Sequence, residues 1–177
     1  MNEKMKQYVE ELLLWNKNFN LIGRSTEEEI WNIHIEDSLE ILPFLKKENY
    51  NTIVDIGSGG GLPAIPLSIM LPEKHFYLTE VNTKKLAFLT FVVKKLKLNI
   101  SVININEGFL LNEECLVLSR AFSSLKNIKK WEEKYLLNPV KTFVMKGRLE
   151  KIEDELDEAK IVSYEIIKLK KGHLVIF

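Results

Sequence analysis

Four of the eight glycines fall within five residues, at Gly57, Gly59, Gly60 and Gly61, directly after the apolar run Ile53-Val54-Asp55-Ile56. Such a turn lets the backbone take conformations, or approach a ligand at distances, that a Cβ would forbid. With a strand before it and a helix-like segment opening at Leu62-Pro63, the chemistry it offers is capture of a nucleotide-type ligand. A dinucleotide fingerprint needs its third glycine at 62, where the chain has Leu62, and a phosphate-cradling loop needs glycine and lysine at 62 and 63. The spacing counts against NAD and ATP. A second reactive group closes the next apolar run: Glu80, 25 residues after Asp55, ends His75-Phe76-Tyr77-Leu78-Thr79-Glu80. One carboxylate there can accept from both hydroxyls of a ribose diol.

With Asp55 two residues ahead of Gly57, the D-x-G-x-G-x-G spacing resembles motif I of class I S-adenosylmethionine-dependent methyltransferases. That methyl donor carries no phosphate, so its amino-acid end needs amides and a carboxylate near the turn. The expected cofactor-binding residues are Asp55, Gly57, Ser58, Gly59, Gly61 and Leu62, with Glu80 for the ribose.

The elements that must position these groups follow from periodicity. Residues 3–19 place apolar side chains at three- and four-residue steps and predict an amphipathic helix. Ser25-Thr26-Glu27-Glu28 reads as a capping box opening a second helix that runs to about Leu42, where Pro43 and a polar segment end it. From Ile53 onward seven short apolar runs predict strands: Thr52–Ile56, His75–Glu80, Ile100–Ile105, Cys115–Ser119, Thr142–Lys146, Ile161–Leu169 and Leu174–Phe177. Helical segments Leu62–Leu71, Thr83–Leu98, Ser124–Leu137 and Arg148–Lys160 alternate with them. Alternation of this kind implies an α/β fold with a mostly parallel sheet and right-handed crossovers. The last two strands are joined by Lys170-Lys171-Gly172, too short for a crossover, so they form an antiparallel pair. Residues 1–50 read as an N-terminal helical extension packed on a core of residues 51–177, one domain overall.

Composition removes several classes of function. Lys plus Arg and Asp plus Glu are 25 each, so any nucleic-acid contact must come from a local basic face. The single cysteine, Cys115, rules out an internal disulfide framework and an all-cysteine zinc site, and no metal centre is expected. It lies in an apolar run and reads as a buried structural thiol, which argues against chemistry needing a thiolate at the target base. No signal-peptide core or run of eighteen apolar residues occurs, and the reading is a cytoplasmic protein with no membrane partner.

Five motifs, in order, carry a resemblance over nearly the whole chain: Leu13-Leu14-Trp15-Asn16-Lys17-x-x-Asn20-Leu21; His34-x-x-Asp37-Ser38-Leu39; Asp55 through Leu67; Ser119-Arg120-Ala121-Phe122; and Lys146-Gly147. Together they resemble the ribosomal RNA small subunit methyltransferase G family, also called the glucose-inhibited division protein B family. The resemblance implies a class I (Rossmann-like) methyltransferase fold and transfer of methyl from S-adenosylmethionine to N7 of a guanosine in the 530 loop of 16S rRNA. The partner it implies is the 30S subunit or an assembly intermediate. It further implies that Gly57 and Leu62 line the methionine end of the cofactor, that Asn106 and Glu107 face the adenine, and that Arg120 lies beside the pocket. Asn20, Asp37, Arg120 and Lys146 are then the candidates for holding the flipped guanosine.

The chain departs from the family pattern in two places. Ile105, Asn106 and Glu107 stand where an Arg-x-Glu is common, and Cys115 stands where aspartate is often found. Two other readings compete: a class I methyltransferase acting on a small molecule or protein, and a cofactor-binding assembly factor without turnover. Several residues also have plainer explanations. His34 and Asp37 share a helix face and suit a local hydrogen-bonded pair; Trp15 suits the core; Lys84 and Lys85 suit a solvated helix face; Asn138-Pro139 suits a turn.

Overall fold

The apolar runs become strands because each is bounded by turn residues and carries enough branched and aromatic side chains to fill a sheet buried on both faces. In the computed structural model, which describes residues 2–177, the elements follow in order. They are α1 (Glu3–Phe19), α2 (Glu36–Leu39), α3 (Leu42–Leu45), β1 (Thr52–Ile56), α4 (Ala64–Met70), β2 (His75–Glu80), α5 (Thr83–Leu96) and β3 (Ile100–Asn104). Then come β4 (Leu111–Arg120), α6 (Leu125–Tyr135), β5 (Leu136–Lys146), α7 (Leu149–Ala159), β6 (Glu165–Lys168) and β7 (His173–Ile176). The seven strands form one sheet in the order β3-β2-β1-β4-β5-β7-β6. The first five run parallel, and β7 pairs antiparallel with both β5 and β6. The expected α/β architecture and its closing antiparallel pair are present.

Connection order reverses between β1 and β4, so the carboxyl ends of these neighbours flank a crevice where an open sheet binds ligands. The glycine turn and Ser119-Arg120-Ala121-Phe122 both emerge there. Helices cover both faces. On one side α1, α4 and α5 pack Tyr8, Leu12, Ile65, Phe88 and Leu89 against Ile53, Phe76 and Leu78. On the other, Leu125, Ile128, Ile152 and Leu156 of α6 and α7 pack against Val54, Val117 and Val144. Burying each large apolar side chain contributes roughly 1.5–3 kcal/mol, so the N-terminal helix is held by Met5, Tyr8, Val9 and Leu12 as part of the same core as the sheet.

Three local expectations fail for identifiable reasons. The capping box at Ser25 does not form. Residues Arg24–Thr26 make a 3-10 turn in which Thr26 Oγ1 donates to the Gly23 carbonyl at 2.7 Å, so Ser25 lies inside the turn and does not cap a helix paired with Glu28. The second helix is then broken into a π-turn, Trp31–Ile35, followed by α2 and α3, and Pro43 lies in the first turn of α3 rather than ending the helix before it. The third is Asn138-Pro139, which lies inside β5. Pro139 pairs with Cys115 beside a bulge where the β4–β5 register slips by one residue, a position that tolerates a missing N–H.

Candidate functional site

The glycine turn is shaped by its neighbours as well as by its own freedom. Gly57 has φ 68°, and a Cβ there would stand 2.3 Å from the Phe122 ring; Gly61 has φ 87°, and its Cβ would meet Ile65 at 2.3 Å. The turn closes on itself through Gly61 N–H to Ser58 O at 2.7 Å and is tied to β2 by Ser58 N–H to Thr79 O at 3.0 Å. Tyr8 of α1 reaches across 52 positions to donate to the Gly60 carbonyl at 2.7 Å. The N-terminal helix therefore sets the position of the ligand turn directly.

Glu80 is buried and held from three sides. Its Oε2 accepts from Gly59 N–H at 3.0 Å, and its Oε1 accepts from the amides of Val81 (2.8 Å) and Asn82 (3.0 Å). A carboxylate has about four lone-pair sites, so one on Oε2 remains for a ribose hydroxyl. Asp55 is the opposite case. It is 1% exposed, and neither carboxylate oxygen has a hydrogen-bond partner among the described residues. Burial pushes its pKa up to about 7. A buried, unpartnered carboxylate next to a ligand turn suits a cationic ligand group, and the ammonium of S-adenosylmethionine is one. With no glycine-lysine phosphate cradle, a buried carboxylate at Asp55 and Glu80 at the end of β2, the donor set fits that cofactor.

Three cavities meet at the crevice. One of about 210 Å³ lies among Leu21, Ile22, His34, Gly57–Gly60, Leu62, Lys85 and Arg120. A second, about 220 Å³, lies on the far side of Gly57, between Glu80, Val81, Ile105, Asn106, Phe122, Trp131 and Tyr135. The third, about 270 Å³, is bordered by Asp37, Ser119–Ser123, Met145–Gly147 and Lys171. Arg120 and Ala121 border the first and third, and Phe122 the second and third. Ala121 takes the left-handed conformation, φ 56°, which turns Phe122 onto Gly57 at the seam between them.

Arg120 is the hub of the third cavity. Its Nη2 is 3.1 Å from Asp37 Oδ2 and donates to the Ile33 carbonyl at 3.1 Å, while Nη1 donates to Ser38 Oγ at 3.3 Å. The π-turn leaves carbonyls for side chains to take up: its Glu36 N–H bonds back to Trp31 O instead of Asn32 O, and Lys171 Nζ donates to the Asn32 carbonyl at 3.3 Å beside the Arg120 bonds. His34 Nδ1 lies 3.2 Å from Arg120 and its Nε2 2.7 Å from Thr26 Oγ1, so the expected His34–Asp37 pair is replaced by two separate links. Burial, then the Arg120 charge, lowers the His34 pKa to about 4, and the ring is neutral at pH 7. Burial raises the Asp37 pKa, and Arg120 opposes that shift. Lys146 is fixed by Glu155 (2.6 Å) and the Ser123 carbonyl (2.8 Å). Cys115 is buried with its thiol pushed up to about 12, as a structural residue should be.

Of the candidate residues, Gly57, Ser58, Gly59 and Leu62 border the first cavity, Gly57, Glu80 and Asn106 the second, and Asp37, Arg120 and Lys146 the third. Two stand apart. Asn20 is the exposed left-handed C-cap of α1, next to Leu21 and Ile22 but not on a cavity wall. Glu107 accepts from Asn104 Nδ2 at 2.7 Å on the outer side of its turn. Asn16, not Asn20, is the buried asparagine, bonding Glu27 at 2.6 Å and Ile22 N–H at 2.9 Å. Sequence reasoning missed Tyr8 and Phe122 and placed Lys85 on a solvated face, whereas Lys85 borders the first cavity. Only the phase of Lys85 on α5, one turn past the Glu80 strand end, could have signalled it.

Comparison with known proteins agrees with this geometry. The family described as rRNA small subunit methyltransferase G matches residues 1–174. Ribosomal RNA small subunit methyltransferase G of Brachyspira hyodysenteriae is 41% identical, covering 98% of this chain and 89% of that protein. Its counterpart from Magnetococcus marinus is 38% identical over 93% of this chain and 81% of its own length. Among solved structures, a putative S-adenosyl-L-methionine-dependent methyltransferase from Methanococcus maripaludis superposes with TM-score 0.62 at 18% identity, over 86% of this chain and 90% of that one. A putative O-methyltransferase from Klebsiella pneumoniae does so with TM-score 0.60 at 9% identity, over 96% and 88%. These two share the fold alone. On the sequence match over residues 1–174, the chain belongs to the rRNA small subunit methyltransferase G family.

Proposed function

We propose that the protein methylates N7 of a guanosine in the 530 loop of 16S rRNA, within the small ribosomal subunit or an assembly intermediate, in the cytoplasm. The observation that carries this reading is the seam at Arg120–Phe122, which borders the two cavities flanking the glycine turn and also a third, cation-lined cavity able to admit a base. S-adenosylmethionine supplies an electrophilic sulfonium methyl when bound. Asp55, Gly57, Ser58, Gly59, Gly61, Leu62 and Lys85 hold its amino-acid end, Glu80 its ribose and Asn106 its adenine edge, with Glu107 bracing that turn through Asn104.

Guanine N7 offers a lone pair and no proton, so the attack needs no general base. The protein's work is alignment and charge stabilisation. As N7 gains the methyl the purine becomes cationic, and the Asp37 carboxylate on the cavity wall favours that charge, with Arg120 fixing Asp37 in place. Lys146 sits where a phosphate of the extruded nucleotide can reach it, and Asn20 acts from the rim beside Leu21. Residues 1–50 and the core behave as one domain in this scheme, because Tyr8 and the π-turn each complete part of the site. Primer extension across the 530 loop after borohydride and aniline treatment tests the reading. A strand break in rRNA from the parent strain that is missing from a deletion strain is expected, and identical patterns would refute it.

A further inference from the structure

The third cavity does not end at Lys146. Past Gly147 lies a groove of about 630 Å³ between the start of α7 and the β6–β7 hairpin, bordered by Arg148, Leu149, Lys168 and Lys171. Gly147 and Lys171 border both spaces, so the two adjoin. The groove has fixed walls. His173 Nδ1–H donates to the Gly147 carbonyl at 2.8 Å, and Lys170 N–H donates to Glu40 at 2.8 Å. Gly172, at φ 97°, brings the hairpin turn so close that a Cβ would lie 2.3 Å from the Lys146 carbonyl oxygen.

Its charges are unbalanced in a protein whose formal net charge is zero. Among the described residues the four ion pairs engage Lys95, Arg120, Lys141 and Lys146, while Arg148, Lys168 and Lys171 have no carboxylate partner. Glu150 is the single acidic residue on the groove wall. Between the cations Leu149 is 42% exposed, an apolar surface against which a base face can lie. Lys171 Nζ donates to the Asn32 carbonyl at 3.3 Å, which places its charge without neutralising it. Cations without carboxylate partners, spaced around an apolar floor, match the alternating phosphates and bases of single-stranded RNA.

We propose that this groove seats the RNA strand adjoining the methylated nucleotide, with phosphates on Arg148, Lys168 and Lys171 and a base over Leu149. The inference rests on the reading of the third cavity as the acceptor site. It explains how a neutral protein holds a polyanion, since the attraction is concentrated where the strand must enter.

The test uses the full-length double variant Arg148→Ala/Lys168→Ala and small subunits from cells lacking this methylation. The slope of log K against log salt for subunit binding should fall by about two, one for each phosphate no longer neutralised. KM for subunits should rise about tenfold or more, with kcat at saturation and S-adenosylmethionine affinity unchanged. An unchanged salt slope and KM would overturn the groove. A defect with intact subunits but not with protein-free 16S rRNA would assign it to a ribosomal protein and overturn it too. If the wild-type protein binds subunits without methylating them, the enzymatic reading fails, and the salt slopes, which report binding alone, still decide the groove.

Discussion

Asp55 makes a prediction in which stability and binding move in opposite directions. Its carboxyl is buried, lacks a hydrogen-bond partner on either oxygen among the described residues, and has a pKa near 7 in the cofactor-free chain. Because that folded value lies above the unfolded one of ~3.9, the proton stabilises the folded state at low pH, and this contribution is lost as pH rises from about 4 through 7. The slope is on the order of 1.4 kcal/mol per pH unit across that window. On the proposed pairing of Asp55 with the cofactor's ammonium, binding requires the charged carboxylate. With a pKa of about 7, roughly 3% of Asp55 is ionised at pH 5.5 and about half at pH 7.0, so S-adenosylmethionine affinity should rise some fifteenfold, ~1.6 kcal/mol, over that interval. The isosteric Asp55→Asn variant removes the titration. Calorimetric titration should show its affinity below wild type at pH 7.0 and nearly flat with pH. Thermal denaturation without cofactor should show it at least as stable as wild type at pH 8. A wild-type affinity independent of pH, or the same slope in the variant, would refute the reasoning.

Gly57→Ala places a methyl against the Phe122 ring in a left-handed backbone, and ~1–3 kcal/mol of strain should appear as a tenfold or greater loss of cofactor affinity. Adding Phe122→Ala should restore part of that loss, the remainder being backbone strain. Tyr8→Phe removes the hydroxyl that donates to the Gly60 carbonyl and should lower stability by ~1–2 kcal/mol in chemical denaturation, while loosening cofactor binding from a helix outside the sheet. Arg120→Ala leaves Asp37 and the π-turn carbonyls unpaired and should cost ~2–4 kcal/mol as well as methyl transfer; Arg120→Lys, which keeps the charge but not the fork, should recover folding more than transfer.

The parts of the fold visible in the sequence are those set by local pattern. Strands β1 and β2 fall where the apolar runs end, because a buried parallel strand needs continuous branched and aromatic residues, and Glu80 marks its own strand end. The glycine spacing marks the turn because a missing Cβ meets its φ values without strain and leaves room for Phe122 and Ile65. What stays hidden depends on distant partners. The π-turn at Trp31–Ile35 has no periodic signature, and the Arg120 guanidinium that takes up its carbonyls is 86 positions away from His34. Tyr8 reads as one more core aromatic until the Gly60 carbonyl appears beside it. Asn16 and Asn20 are chemically alike, and only the end of α1 decides which one is buried. Pro139 reads as a turn because a bulge in β4–β5 cannot be inferred from either strand alone.

The central claim is that the three cavities around Arg120–Phe122 form one methyl-transfer site for ribosomal RNA. Incubating the protein with labelled S-adenosylmethionine and small subunits from a strain lacking the modification, then mapping the labelled nucleotide, tests it most directly. The expected result is one methyl per subunit on guanosine N7 in the 530 loop, present with the wild-type protein and abolished by Arg120→Ala. Tight cofactor binding without transfer, or label on another nucleotide or on a ribosomal protein, would contradict it.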